Sequence, residues 1–440
     1  MIRRTSRFAR TGRILLAALV SAALIAPLAA CGQSNEAADG TTEITLWTWQ
    51  STIGDFVSAF EKEHPDIKVK VQNVGTNDDE YMQLNNAITA GKGVPDLIYL
   101  DYNAVQQFAI SGELRDVAEY GFDDIADDFT DSALNAVTNS GARYALPISS
   151  GPMVMFYNAE IFKEAGISEP PTTWDEYAAA AAKIKALGGG KHIANETGDG
   201  GFLASMLWQA GARPFTADGE TIGIDFSGPK VRQFTDMWQP LMDKELIDTN
   251  TKGWTEDWYQ ALNNGRIATI LTGAWMVTSL KKNVSGMSGK WRVAPMPQYQ
   301  AGGHVNGENG GGALALPAKS DDAKAEAAYA FAKWYAHDGG VDVNLAQDGV
   351  PPLKAVFNDE AYLNATDDYF GGQQIHQVIA EAAKDVDSRW QYLPYMAYAN
   401  SIAVNTIGKA YIGRKTLNTA LNEWGEALAE YGRQEGFTVK

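Results

Sequence analysis

An α/β fold with open, mostly parallel sheets follows from two features of this sequence. Between residues 43 and 103, strand and helix patterns alternate, and a strand–helix–strand–helix–strand run implies right-handed parallel crossovers. The chain of 440 residues also exceeds the roughly 250–300 residues that one core fills, so it holds two or three units or one bilobal body.

The elements read in order. Glu43-Ile44-Thr45-Leu46-Trp47-Thr48-Trp49 alternates apolar and polar residues as a strand does. Phe56, Val57 and Phe60 at helical spacing give a helix that stops before Pro65. Ile67-Lys68-Val69-Lys70-Val71 is a second strand, residues 81–90 a second helix, and Pro95-Asp96-Leu97-Ile98-Tyr99-Leu100 a buried strand. Ligands on such sheets bind beyond the carboxyl ends of the strands, which places Trp47, Trp49, Gln50, Asp101, Tyr102 and Asn103 near a cleft. Farther on, strands at 144–148 and 154–158 bracket Ser149-Ser150-Gly151-Pro152. Thr173-Trp174-Asp175-Glu176 is a capping box opening an Ala-rich helix that ends at Gly188-Gly189-Gly190. Helices follow at about 202–209, 230–244 and 256–263, and strands at 267–271, 292–295 and 313–316. From Asp321 the chain is mainly helical, broken at 350–352 and 388–395, and no internal repeat is present.

The amino terminus carries an export signature. Arg3, Arg4, Arg7, Arg10 and Arg13 precede an apolar run from Ile14 to Ala30, interrupted only by Ser21 and Pro27. Leu28-Ala29-Ala30-Cys31 then matches a lipobox, and Cys31 is the only cysteine of the chain. An internal disulfide is therefore impossible, and lipid attachment at Cys31 accounts for the residue. Residues 1–30 read as a lipoprotein signal peptide and residues 31–42, small and polar, as a flexible tether. The expected location is the outer face of a bacterial cell membrane.

The formal charge is −18, and about −23 once the five leader arginines are removed. Such a surface repels phosphate backbones, so nucleic acid is excluded as a partner, while a neutral ligand is compatible.

Several segments together resemble the maltose-binding-like extracellular solute-binding proteins of sugar importers. They are Ile44-Thr45-Leu46-Trp47, Phe60-Glu61-Lys62-Glu63-His64-Pro65-Asp66-Ile67-Lys68-Val69 and Pro95-Asp96-Leu97, in that order. Tyr144-Ala145-Leu146-Pro147, Phe156-Tyr157-Asn158, Pro171-Thr172-Thr173-Trp174-Asp175-Glu176, Asn264-Gly265-Arg266-Ile267-Ala268 and Gly273-Ala274-Trp275 follow. The resemblance implies a two-lobed periplasmic-binding-protein fold, a Venus flytrap of two α/β lobes joined by hinge crossovers. Residues 43–149 with 310–352 would form lobe 1, and residues 150–309 with 353–440 lobe 2. Crossings are expected near 149–152, 306–312 and 349–354, where glycine and proline absorb or limit hinge rotation. The implied role is capture of an oligosaccharide and delivery to the permease subunits of an ABC transporter, by a monomer without cofactor or catalysis.

A sugar presents flat C–H patches that suit aromatic faces and a hydroxyl rim that suits carboxylates and amides. Trp275 stands where the family commonly places a stacking aromatic. Trp49 and Gln50 end the first strand; Asp101 and Tyr102 follow the buried strand, where Asp101 binds hydroxyls or caps the next helix. Ser149 and Ser150 lie at the first crossing, and Glu308 and Asn309 precede three glycines at the second. Trp390 and Tyr392 stand in a polar break where they could close the pocket, and Trp208 is a candidate whose alternative is the core. Trp254 and Trp258, four apart, are assigned to packing on one helical face, and Trp47 to the core.

Two rivals remain. A secreted carbohydrate-active hydrolase needs two carboxylates about 5–10 Å apart, but no hydrolase motif is present. A binder of another solute, such as a polyamine, is kept open by the acidic bulk. Metal is not expected: the histidines are scattered, and the calcium-like Asp248-Thr249-Asn250-Thr251-Lys252-Gly253 carries Lys252 at a ligand position and Tyr259 in place of the closing glutamate.

Overall fold

The computed structural model describes residues 40–440. The expected signal peptide, the expected lipobox with Cys31 and most of the expected tether lie outside the described residues. The described chain is two-lobed, and each lobe is built on one sheet.

The first sheet has five strands in the order Ile67–Gln72, Thr42–Trp47, Leu97–Asp101, Gly312–Ala315, Leu146–Ser149. The first three are parallel, with Thr42 opposite Ile67 and Leu46 opposite Leu97. The Gly312–Ala315 strand runs against both of its neighbours. Alternation sends Ile44, Leu46, Leu97, Tyr99 and Leu314 to one face. There they meet Phe56 and Phe60 of the helix Ile53–Glu63 and Phe331 and Tyr335 of the helix Ala325–Ala336. Phe56 stacks on Tyr335 at 3.9 Å. The opposite face carries Trp47, Ile98, Leu100, Ala313 and Ala315 against the helices Asp78–Ala90 and Tyr102–Ile110. Burial on both faces is why residues 97–100 form an uninterrupted apolar run. The strand expected to reach Trp49 stops at Trp47, whose indole nitrogen donates to Gln72 at 3.1 Å.

The second sheet centres on Thr269–Gly273, Met153–Asn158 and Trp291–Pro295, with Met153–Asn158 in the middle and antiparallel to both. A parallel bridge from Ile267 to His192 leads on to the strand Ala194–Asn195, itself parallel to Ile247–Asp248. The expectation of mostly parallel sheets thus holds for strand direction in both lobes. In each, the fourth strand runs opposed, which the strand–helix alternation did not foretell. Val154, Phe156 and Val293 face one core cluster, Met153, Met155 and Ala294 the other. On the latter side, Thr173 closes the expected capping box with Glu176 at the start of the helix Trp174–Ala186.

Between the sheets, the expected crossings are hydrogen-bonded to one another. Asn309 N–H donates to Gly151 O at 2.8 Å, Met153 N–H to Gly307 O at 3.0 Å, and Ser150 N–H to Val350 O at 2.8 Å. Gly151 lies so close to this partner strand that a Cβ there would stand 2.2 Å from Asn309 O. The third passage wanders along the boundary. Val350 and Phe357 pack with the second sheet's cluster, and Leu353 and Val356 with the first.

Candidate functional site

A cavity of about 990 Å3 lies between the two sheets, lined by residues from both and by the crossings. All twelve ligand-binding candidates read from the sequence stand in its lining: Trp49, Gln50, Asp101, Tyr102, Ser149, Ser150, Trp208, Trp275, Glu308, Asn309, Trp390 and Tyr392. Their individual settings differ.

The wall on the first sheet is polar. Asp101 ends its strand and occupies the N-cap position of the helix Tyr102–Ile110, yet its side chain caps nothing. The carboxylate instead accepts hydrogen bonds from Asn77 Nδ2 (2.8 Å), Tyr81 Oη (3.0 Å) and Tyr99 Oη (3.3 Å). Such charge-assisted bonds hold an acceptor in one orientation before any ligand arrives. The alternative of a capping role for Asp101 is therefore wrong. Trp49 stands edge-on to Tyr99 at 4.8 Å and to Tyr81 at 6.0 Å. With Gln50 it occupies the turn after the strand, not the strand's end.

The crossings form the floor. Glu308 is buried, and its Oε1 accepts from Ser150 Oγ at 2.7 Å and Ser132 Oγ at 3.2 Å. Burial pushes its carboxyl up to about 7, and the two serine hydroxyls offset part of that rise. Its Oε2, the Tyr102 hydroxyl and the Trp390 indole nitrogen have no hydrogen-bond partner in the protein. Buried polar atoms of that kind call for water or a ligand's hydroxyls. Burial first, then the charge of Glu308, pushes the Tyr102 phenol up, so it stays a donor at neutral pH. Asn309 is held by contacts within the protein. Its Oδ1 accepts from Thr272 Oγ1 (3.0 Å) and its Nδ2 donates to Ser205 Oγ (2.9 Å), so the amide is engaged within the protein. Its carbonyl accepts from Trp275 Nε1 at 2.7 Å, which makes it a brace for that indole.

The second sheet's wall is aromatic. Trp275 follows the Thr269–Gly273 strand, half-buried, at the N-cap position of the helix Met276–Asn283. Trp208 and Trp390 stack on each other at 5.1 Å and 7°, with Tyr392 edge-on to both. Both tryptophans are buried and each gives one face to the other; the core alternative describes Trp208.

Other lining residues escaped the sequence reading. Glu196 Oε1 accepts from the backbone N–H groups of Thr197, Gly198 and Asp199. Burial, then Asp199, raises its carboxyl to about 8 against those three donors. Asp199 caps the helix Gly200–Gln209, a signal present in the Asp-Gly-Gly run ahead of an apolar stretch. Trp254, assigned to a helical face with Trp258, lies outside that helix, which begins at Glu256, and is 46% exposed. The calcium-like segment is a turn: Asp248 accepts from Asn250 N, Thr251 N and Thr251 Oγ1.

The family model for bacterial extracellular solute-binding proteins matches residues 47–342. The chain belongs to that family. Among solved structures, this solute-binding protein is similar to an ABC transporter associated binding protein from B. animalis subsp. lactis Bl-04, in complex with β-1,6-galactobiose. The two are 41% identical with a TM-score of 0.82, over 91% of this chain and all of that one. It also resembles the arabinooligosaccharide-binding protein of Bacillus subtilis (strain 168), 28% identical over 70% of this chain and 72% of the relative. A third relative is the lactose-binding protein of Rhizobium radiobacter, 26% identical over 83% of this chain and 87% of the relative. The solute-binding protein's two-lobed fold and its cavity between the lobes fit this company.

Proposed function

We propose that this solute-binding protein captures a short neutral oligosaccharide between its lobes by hinge closure and delivers it to the membrane subunits of an ABC transporter. Lipid on Cys31 would hold a monomer at the outer face of the cell membrane. One lobe comprises residues 43–149 with 310–352, the other 150–309 with 353–440. The observation that carries the reading is one cavity with a hydrogen-bonding wall on one sheet and an aromatic wall on the other. A ligand touching both walls is held fully only when they approach, so binding shifts the protein toward closure. The relatives named for arabinooligosaccharides, lactose and β-1,6-galactobiose support a saccharide of this size.

Within the site, Trp275 and Trp49 offer ring surface, and Asp101, Tyr102 and Glu308 meet hydroxyls. Gln50, Ser149, Ser150 and Tyr392 complete the contact, while Asn309, Trp208 and Trp390 shape it from behind. No catalytic step is assigned. The lining carboxylates Asp101 and Glu308 are each engaged by neighbouring hydroxyl or amide donors, an arrangement suited to holding hydroxyls.

Calorimetry with β-1,6-galactobiose, lactose, arabino-oligosaccharides and a polyamine tests the reading. Binding of a neutral saccharide without turnover is expected. Trp275→Ala should weaken it at least tenfold while circular dichroism shows the fold intact. Hydrolysis products, or binding of the polyamine alone, would replace this reading with one of its rivals.

A further inference from the structure

Trp254 is held where a tryptophan is costly. Its φ is +66°, the left-handed region that a residue with a Cβ enters at an energetic penalty and that glycine or asparagine would occupy more easily. Its indole is also 46% exposed, and it is the one aromatic among the exposed large apolar side chains of the described residues.

Neither feature is a loose loop's accident, because the segment is braced on both sides. Asn195 Nδ2 donates to Thr251 O at 3.0 Å, while Asn195 Oδ1 accepts from Trp258 Nε1 at 2.7 Å. Thr255 Oγ1 donates to Lys252 O at 2.8 Å and accepts from Trp258 N–H to start the next helix. A backbone conformation that surrounding structure over-determines, and that exposes an apolar ring, points to use at a site.

That site is the cleft. Trp254 lines it, with its ring centroid 5.4 Å from that of Trp275 and the planes tilted by 37°. Trp258 backs the Trp254 ring at 4.8 Å, and the Trp254 indole nitrogen donates to Asp199 Oδ2 at 3.4 Å. Two indoles this close make one joined aromatic surface in the cleft. Asp199, at the edge of that surface, adds an acceptor for hydroxyls.

We infer that Trp254 is a specificity-determining ligand contact, whose indole is presented beside Trp275 to a saccharide in the cleft. This rests on the saccharide reading of the cleft. The backbone strain is the cost of presenting the indole there.

The test uses Trp254→Gly, which removes both ring and strain, and Trp254→Asn, which keeps a polar side chain tolerant of the left-handed region. Titration of whichever neutral disaccharide the wild type binds most tightly is compared with the Tm of the ligand-free proteins. The expected result is at least tenfold weaker binding in both variants with a Tm equal to or above the wild type. A smaller loss, or a loss accompanied by a lowered ligand-free Tm in both variants, overturns the assignment. Wild-type protein that binds no neutral saccharide would instead remove the saccharide reading itself, a distinct result visible before any variant is made.

Discussion

Leu97–Asp101 and Thr269–Gly273 hold the same place in the two sheets, third in strand order, and each leads directly into a helix at the cleft. The residue at the N-cap of that helix is Asp101 in one lobe and Trp275 in the other, and neither side chain caps its helix. A shared topology therefore delivers two opposite chemistries to one cavity. Around Asp101 gather Asn77, Tyr81 and Tyr99, a hydrogen-bonding set; Trp275 meets Trp254, which Trp258 backs. The contrast is a division of character: the Asp101 side of the cavity presents directional hydrogen-bonding groups, and the Trp275 side presents ring area with little directional demand. A strand's carboxyl end fixes where a ligand sits, and the side chain placed there decides what is recognised.

That contrast breaks if the polar wall proves dispensable. Asp101→Ala should weaken saccharide binding by about a hundredfold, or about 3 kcal/mol, because it deletes a charged acceptor and strands the Tyr81, Tyr99 and Asn77 donors. Calorimetry should show the loss mainly in binding enthalpy. A smaller effect than that of Trp275→Ala would place recognition in the aromatic wall alone.

A second prediction concerns the crossings, which belong to neither wall. Glu308 has its carboxyl raised from its ordinary value to about 7, chiefly by burial, so the folded protein binds its proton more tightly than the unfolded chain does. The stability this contributes is present below about pH 4.5 and is lost as pH rises through about 7. Glu80 in the first lobe and Glu196 in the second, each raised to about 8 with burial the largest cause, add the same sign. The ligand-free Tm should therefore fall between pH 5 and pH 8. Glu308→Gln should recover a few degrees at pH 8 and little at pH 5, read by differential scanning calorimetry. Equal shifts at both pH values would mean that Glu308 is ionised throughout and that its hinge contacts carry the effect.

The sequence revealed the fold where local rules and tertiary packing agree. Alternation set the first strand, Thr173 and Glu176 announced their helix, and the glycines at 151 and 311 marked chain crossings. Gly311 has φ +96° and would set a Cβ 2.6 Å from the Tyr102 ring. The candidate residues could be gathered because strand ends and crossings converge on one cleft by topology. Their roles were less legible. Asn309 carries the right groups for a ligand, but long-range partners at Thr272, Ser205 and Trp275 occupy them. Trp208 and Trp390, 182 positions apart, each give one face to the other, a pairing no local period encodes. Trp254 was hidden by its spacing of four from Trp258, which reads as a helical face until the helix is seen to start two residues later.

The smallest expected effect isolates folding of the second lobe from its use. Thr173 lies outside the cavity lining; its hydroxyl accepts from Glu176 N–H, and its own backbone N–H donates to Glu176 Oε2. Thr173→Ala should cost about 1 kcal/mol of stability, the usual worth of an N-cap, and lower Tm by a degree or two. Saccharide affinity should stay within twofold, because the aromatic wall is held by separate contacts: Asn309 on Trp275, and Asn195 on Trp258 and its loop. Should affinity fall along with Tm, the ring wall would depend on the whole lobe's stability, and the division between a polar and an aromatic lobe would reduce to a difference in rigidity.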